Sequence, residues 1–344
     1  MNRQWPLDTA LAFDPVIGEP NRDGIQGAEI LADGRVRLRV IAPDARRVEI
    51  DRFGSVSAFE KTGDGAWELT ADLGVGFIYF FLKIDGADVL CPYLPIGYGC
   101  CRPMHFVDVP VPGEDFDALR DIPHGAVARR YYPSSVTGKT ESCLVYTPPS
   151  YAQSRRYPVL YLQHGYGENE TGWVYQGHLL RIADCLIHEG RAAEMVIVMG
   201  NGMAQKDSST ERTLFTRLLI ADLIPYIERE YAVKTDKWSR AMAGLSMGSY
   251  QTSIVTLSYP ELFGYAGLFS GFLRAPWGDE DEPHMKALDD AEAFRREYRV
   301  FFRAMGTEDT FWDRFAADDE YLASRDLPII RKTYVGGHDW TVWR

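Results

Sequence analysis

Cysteine is scarce in this 344-residue chain, with five residues at Cys91, Cys100, Cys101, Cys143 and Cys185. The count is odd and no two are spaced C-x-x-C, which argues against a disulfide framework and against a zinc site. Adjacent Cys100 and Cys101 are expected to be packing residues, and the thiols reduced. Basic residues are in deficit, 37 Lys and Arg against 49 Asp and Glu, giving a formal net charge of -12. A phosphate-binding surface needs the opposite excess, so no nucleic-acid partner is expected. No run reaches the ~18 apolar residues of a membrane helix, so no membrane partner is expected either. Met1 to Asp14 lack a basic start followed by an apolar run. A cytoplasmic chain is therefore expected, unless a leader has been removed. Cofactor motifs are also missing: no P-loop, no G-x-G-x-x-G after a strand and no H-E-x-x-H. Neither cofactor nor metal is expected, and there is no internal repeat.

What is present is an ordinary globular composition, 46% apolar and 25% charged, at a length that suggests two domains. The first third reads as β structure. Val36 to Ile41 alternates as a half-buried strand does, and Arg47 to Asp51, Trp67 to Ala71 and Phe77 to Ile84 are further strands. Turn signals at Gly63-Asp64-Gly65 and Asp85-Gly86 separate them. Strands at this spacing without helices suggest a small antiparallel sandwich over residues 1–110. Residues 111–124, with Pro112, Gly113 and an acidic run, look like a linker. From 125 to 344 the rhythm changes. Buried-strand runs at Val159 to Gln163 and Met195 to Met199 alternate with helical stretches at Leu179 to Glu189 and Leu214 to Tyr231. That alternation implies a mainly parallel sheet covered on both faces.

The chemistry-bearing motif is Gly244-Leu245-Ser246-Met247-Gly248, a G-x-S-x-G. Small or apolar residues lead in at Ala241 to Ala243, and a helix over Ser249 to Leu257 follows. A serine on a tight strand-to-helix turn has its hydroxyl lifted above the sheet, with a helix N-terminus behind it. Ser246 is therefore the expected nucleophile. Its base must follow in the chain, and only His284 and His338 do. His284 lies beside the acidic stretch Asp279 to Glu282, which reads as a solvated loop. His338 follows the strand-like run Ile329 to Val335, at the end of a strand where such sheets place active-site residues, and is preferred. By the same rule Asp309, after the strand Val300 to Met305, is the preferred acid. Glu308 competes at one residue's shift, and Asp313 is disfavoured because Phe311-Trp312 begins a new element. The oxyanion donors are expected to be the N–H groups of Met247 and Tyr166, the latter in the His164-Gly165-Tyr166-Gly167 loop. His164 precedes the serine and is read as a loop-shaping residue.

These segments resemble a known family. Leu160 to Trp173, Ile182 to Gly190, Met199-Gly-Asn-Gly-Met203, Asp121-Ile-Pro-His-Gly125, Val145-Tyr-Thr-Pro-Pro149 and Gly336-Gly-His-Asp-Trp-Thr-Val-Trp-Arg344 resemble family-1 carbohydrate esterases. These are the feruloyl and acetyl-xylan esterases, with siderophore esterases as relatives. The likeness covers about 120 to 344. It implies an α/β-hydrolase fold with Ser246, Asp309 and His338 as triad. Val40-Ile-Ala-Pro-Asp-Ala45, Gly65-Ala-Trp67 and Lys83-Ile-Asp-Gly86 give the N-terminal part a weaker likeness to early-set, immunoglobulin-like modules such as family-48 carbohydrate-binding modules. Family members usually continue beyond the final Trp-Arg into a closing helix, whereas this chain stops at Arg344. Apolar surface at Trp340 and Trp343 is thus expected to be uncovered, and a homo-oligomer or another segment to cover it.

The expected substrate is a small-molecule or oligosaccharide ester, feruloyl before acetyl, with a siderophore lactone as the rival. A glycan-binding protein with a silent esterase domain is the reading from another class. Trp173, Tyr175 and Trp340 lie near the motif loops. Trp173 and Trp340 are the candidates to sandwich an aryl acyl group, with core packing as the equal alternative.

Overall fold

A computed structural model describes residues 26–63, 65–113, 115–204, 214–274 and 282–344. Met1 to Asp14, Asp64 of the Gly63–Gly65 turn and Asp279 to Asp281 of the acidic stretch lie outside the described residues. The chain divides into two compact units, with the boundary in the sequence between Asp115 and Phe116.

Among its described residues the first unit has ten strands: β1 (Gly27–Ile30), β2 (Val36–Ile41), β3 (Val48–Arg52), β4 (Ser55–Ala58), β5 (Glu60–Gly63), β6 (Ala66–Ala71), β7 (Gly76–Ile84), β8 (Ala87–Val89), β9 (Ile96–Gly99) and β10 (Arg102–Val109). They form two antiparallel sheets, ordered β1-β2-β6-β5 and β4-β3-β7-β10-β9, with β8 beside β7. The alternation in β2 explains the layering, since Val36, Leu38 and Val40 all point inward. They meet Val48, Ile50, Phe80, Leu82 and Val107 of the other sheet in one core. The Trp67 indole also enters this core and donates to the Ala42 carbonyl at 2.9 Å. Cys100 and Cys101 depart from expectation. Both are exposed, with φ of 49° and 67°, in the tight turn joining β9 to β10. Their left-handed backbone serves the reversal of the chain, and that reversal turns both residues out of the core.

The second unit holds an eight-stranded sheet: β11 (Ala126–Pro133), β12 (Thr140–Thr147), β13 (Val159–Gln163), β14 (Val196–Gly200), β15 (Arg240–Leu245), β16 (Tyr265–Phe269), β17 (Val300–Gly306) and β18 (Ile330–Tyr334). The order is β11-β12-β14-β13-β15-β16-β17-β18. β11 and β12 pair antiparallel at one edge, and β13 to β18 run parallel. β14 is buried along its whole length, as a central strand covered on both faces must be. Its apolar face meets the helical stretch from Leu214 to Glu230, through Leu218, Leu219, Leu223 and Ile227. That stretch opens into a π turn at Leu219–Leu223 rather than continuing as one α-helix.

The stretch expected to be a linker, 111–124, is divided. Phe116 onward belongs to the second unit. There Asp117 binds His178 Nδ1 at 2.7 Å, and His124 Nδ1 binds the buried Asp184 at 2.9 Å.

The register of the parallel strands brings their carboxyl ends to one rim. Gln163 lies opposite Gly244, Leu245 opposite Phe269, Phe269 opposite Ala304, and Gly306 opposite Tyr334. The loops leaving those ends carry His164, Ser246, Ser270, Asp309 and His338. Among the described residues no helix is long and apolar enough to cross a membrane.

The tryptophans of the final segment correct one expectation. A short helix, Trp340–Trp343, folds back so that both indoles are buried, at 2% and 8% exposure. Trp340 meets Trp173 and Trp343 edge-on, each with ring centroids 5.3 Å apart. Arg344 fastens the segment, donating to the Gln176 carbonyl at 2.8 Å and to His178 at 3.0 Å. The two indoles therefore need no partner to cover them. A 330 Å³ apolar cavity lies alongside, between the sheet face at Leu160, Ile197 and Ala243 and the helix Leu179–His188.

Candidate active site

Ser246 ends β15 in a strained turn, with φ 51° and ψ -117°, and the helix Met247–Ser258 begins at the next residue. The turn is possible because the motif is packed against backbone. A β-carbon on Gly248 would fall 2.5 Å from the Gln163 carbonyl oxygen and 2.6 Å from that of His164. The Ser246 N–H anchors the turn on the Phe269 carbonyl at 2.9 Å.

His338 Nε2 lies 2.8 Å from Ser246 Oγ, and its Nδ1 lies 2.8 Å from Asp309 Oδ2. An ionised carboxylate only accepts, so Nδ1 carries the proton and Nε2 is free to take the serine's. Burial pushes the Asp309 carboxyl up. The hydrogen bond and charge of His338, with the Phe311 N–H and the Ser270 hydroxyl, outweigh that and hold it below its ordinary value. It is thus ionised across the neutral range. The competing acids stand elsewhere, since Glu308 and Asp313 are both exposed. The other histidine candidate, His284, is buried against the Leu273 carbonyl at 2.7 Å. The loops that carry acid and base are bonded to each other: the Thr307 N–H donates to the Tyr334 carbonyl at 2.8 Å and the Glu308 N–H to the Gly336 carbonyl at 2.9 Å.

The loop after β13 forms the opposite wall. A β-carbon added to Gly165 would sit 3.5 Å from Ser246 Cβ, so the backbone leading into Tyr166 passes directly beside the serine. Tyr166 turns its ring outward. Among the described residues no hydrogen bond from the Tyr166 or Met247 N–H to another group of the protein is present. That leaves two backbone donors near the serine for an oxyanion. His164 is fully buried; its Nε2 accepts from the Gly202 N–H at 2.9 Å and its Nδ1 meets the Gly165 carbonyl at 2.8 Å. Burial lowers its pKa to about 4, so it is neutral and splices this loop to the one after β14.

Trp173 and Trp340 are not open ring faces for an aryl group. They are 6% and 2% exposed, and both indole N–H groups are engaged, Trp173 with the Gln163 carbonyl at 2.9 Å and Trp340 with Glu168 at 3.2 Å. They form the packed floor beneath the loop, because large aromatic rings bury more favourably than they stack in water. Three residues not anticipated from sequence complete the surroundings. Glu168 accepts from the Gly165 N–H at 3.2 Å, and burial raises it to about 7 against the pull of that N–H and the Trp340 indole N–H. Ser270 and Trp343 lie behind Asp309. Glu168 and Trp343 lie inside the motif segments, which was their one signal, and Ser270 carried none. Among the described residues no group of three or more His, Cys, Asp or Glu side chains could hold a metal ion.

This arrangement can activate a hydroxyl, hold an imidazolium and receive an oxyanion, which is the equipment for acyl transfer. The family described as Putative esterase matches residues 134–344, more than half of the chain. The chain belongs to that esterase family. It is 38% identical over 286 residues to an endo-1,4-beta-xylanase/feruloyl esterase of Xylanibacter ruminicola, a match covering 78% of this chain and 39% of the relative. To the endo-1,4-beta-xylanase Y of Acetivibrio thermocellus it is 28% identical over 199 residues, covering 52% of this chain and 17% of that protein. The chain thus spans well under half the length of these curated relatives. Among solved structures it resembles a ferulic acid esterase at 25% identity and TM-score 0.56, covering 64% of this chain and 93% of that one. The enterobactin esterase FES of Shigella flexneri has the same fold at TM-score 0.67, 15% identical and covering 95% of each chain. The second unit is an α/β-hydrolase, and the antiparallel first unit fits a small β-sandwich preceding it.

Proposed function

We propose that this chain is a serine carboxylic-ester hydrolase that releases ferulate or a related hydroxycinnamate from plant cell-wall sugar esters. The observation that carries the esterase reading is the unbroken line Ser246–His338–Asp309, with both hydrogen bonds at 2.8 Å. The hydroxycinnamoyl preference is supported by the named activity of the relative that is 38% identical. In the first step His338 Nε2 takes the Ser246 proton as the hydroxyl oxygen attacks the ester carbonyl. Asp309 holds the imidazole tautomer and stabilises the imidazolium. The Tyr166 and Met247 N–H groups receive the oxyanion. The imidazolium returns its proton to the departing sugar alcohol. Water, activated by the same histidine, then cleaves the acyl-serine.

The test is initial rates on methyl ferulate, an acetylated xylo-oligosaccharide and a catecholate siderophore lactone, for wild type and Ser246→Ala. Ferulate is expected to react fastest, and Ser246→Ala to lose several orders of magnitude. Near-normal turnover by the variant would remove Ser246 from the mechanism. A faster rate on the lactone or the acetyl ester would replace the acyl group and keep the triad.

For the first unit we propose glycan binding. Phe53 is 63% exposed and packs edge-on against Phe81, whose face lies 4.0 Å beneath the Arg102 guanidinium. Arg102 also bonds Asp88 at 3.0 Å. Exposed aromatic carbon beside a charged hydrogen-bonding pair suits the apolar face and hydroxyls of a sugar ring.

A further inference from the structure

A carboxylate that serves a histidine base must stay ionised and must not rotate. In this molecule a second hydroxyl and an indole secure both conditions. Trp343 Nε1–H donates to Ser270 Oγ at 2.9 Å, and Ser270 Oγ lies 2.8 Å from Asp309 Oδ2. An indole N–H can only donate, and an ionised carboxylate can only accept. The Ser270 hydroxyl hydrogen is therefore turned onto Asp309, and the direction of every bond is forced: Trp343 to Ser270, Ser270 to Asp309, His338 to Asp309. Oδ1 takes the Phe311 N–H at 2.9 Å, so both carboxylate oxygens are held.

The same indole reaches the base as well. Its ring meets the His338 ring edge-on with centroids 5.0 Å apart, while Phe311 closes in at 5.2 Å. Ser270 is fully buried and has φ 47°, a left-handed backbone that a residue with a β-carbon adopts at a cost. Its carbonyl accepts from Ser249 Oγ at 3.1 Å, which ties this strained residue to the helix behind the nucleophile.

We propose that Ser270 and Trp343 are positioning residues for the catalytic acid, acting as a relay that fixes Asp309 and, through it, His338. This rests on the reading of Ser246, His338 and Asp309 as the triad. Removing the Ser270 hydroxyl concentrates negative charge on the carboxylate face that meets His338, which favours the imidazolium. The acidic limb of kcat/KM then moves to higher pH, because the base must be neutral in the free enzyme.

The experiment compares wild type, Ser246→Ala, Ser270→Ala and Trp343→Phe on p-nitrophenyl acetate across pH. The downfield Nδ1–H proton resonance of His338 is followed alongside. Trp343→Phe keeps an aromatic ring against His338 and removes the donor, together with part of the indole's bulk. Ser270→Ala is expected to lower kcat roughly tenfold with KM little changed, to raise the acidic limb and to shift the His338 proton. Trp343→Phe should do the same to a smaller extent. Variants that keep the wild-type kcat, acidic limb and proton resonance, while Ser246→Ala is dead, overturn the relay alone. An active Ser246→Ala overturns the triad and the relay with it.

Discussion

Ser246 stands between two walls that are held in opposite ways. On the acid side, Asp309 is buried, ionised and saturated with donors from His338, Ser270 and Phe311. Its loop is joined to the histidine loop by backbone hydrogen bonds. On the oxyanion side the loop is held by a neutral histidine and by a carboxyl that titrates at about 7. The difference lies in compensation. Burial raises a carboxyl unless hydrogen bonds and positive charge offset it, and Asp309 has that offset where Glu168, among the described residues, has two N–H donors. The Asp309 carboxyl therefore does not change charge in the neutral range, and the Glu168 carboxyl does.

The largest expected effect bears on the acid wall. Asp309→Asn should preserve the fold and lower kcat by about 10³–10⁴, because an amide can present its N–H to His338 and favour the wrong tautomer. Steady-state rates on methyl ferulate check this, and a loss below tenfold would mean the wall does not orient the base.

Glycine substitutions separate the walls by stability. A β-carbon on Gly306 would lie 2.2 Å from the Gly336 carbonyl oxygen, which is backbone and cannot yield. On Gly165 the nearest atom, at 2.6 Å, is Leu245 Cδ1, the end of a flexible side chain. Gly306→Ala should cost ~3 kcal/mol or more, and Gly165→Ala about 1 kcal/mol. Thermal midpoints of the two variants give the comparison directly, and equal losses would break it.

His164→Ala should cost about 2–4 kcal/mol, since it opens a cavity and leaves the buried Gly202 N–H without its acceptor. Activity should fall with stability as the Gly165–Tyr166 backbone loosens. Denaturant unfolding of this variant, alongside rates on methyl ferulate, separates the two losses.

The smallest effect is a pH dependence. Glu168 rises from an ordinary 4.5 to about 7 on folding, so the native state binds its proton more tightly than the unfolded chain. The stability this contributes is complete below about 4.5 and is lost as pH rises through about 7. Glu168→Gln cannot titrate. Wild type should therefore lose a few degrees of thermal midpoint relative to the variant between pH 5 and pH 8. Parallel curves would mean Glu168 is ionised throughout.

Much of this was legible in the chain. The strand-motif-helix order around Gly244 to Gly248 pointed to Ser246, and chain order left two histidines for the base. The runs Val159 to Gln163 and Leu179 to Glu189 read as a strand and a helix, and the structure has β13 and the helix Leu179–His188 there. Other elements were silent. β11 is an edge strand largely exposed on both faces, so Ala126 to Pro133 carry no alternation to read. β16 is five residues with a glycine in the middle, too short to separate from a loop. The tryptophans misled because a sequence shows aromatic rings near a site but not which way their faces point. Trp173 and Trp340 spend both on packing.

The sequence by itself determined the local devices: the glycine-bounded turn at Ser246, the alternation of β2 and the strand runs whose ends carry Asp309 and His338. These depend on neighbours within a few residues, where backbone geometry and apolar periodicity act. Only the tertiary structure decided which acid faces His338, that Ser270 and Trp343 stand behind it, and that Trp340 and Trp343 bury each other. Those choices join residues tens to hundreds of positions apart, and they are settled by strand register and by which polar groups burial leaves in need of a partner.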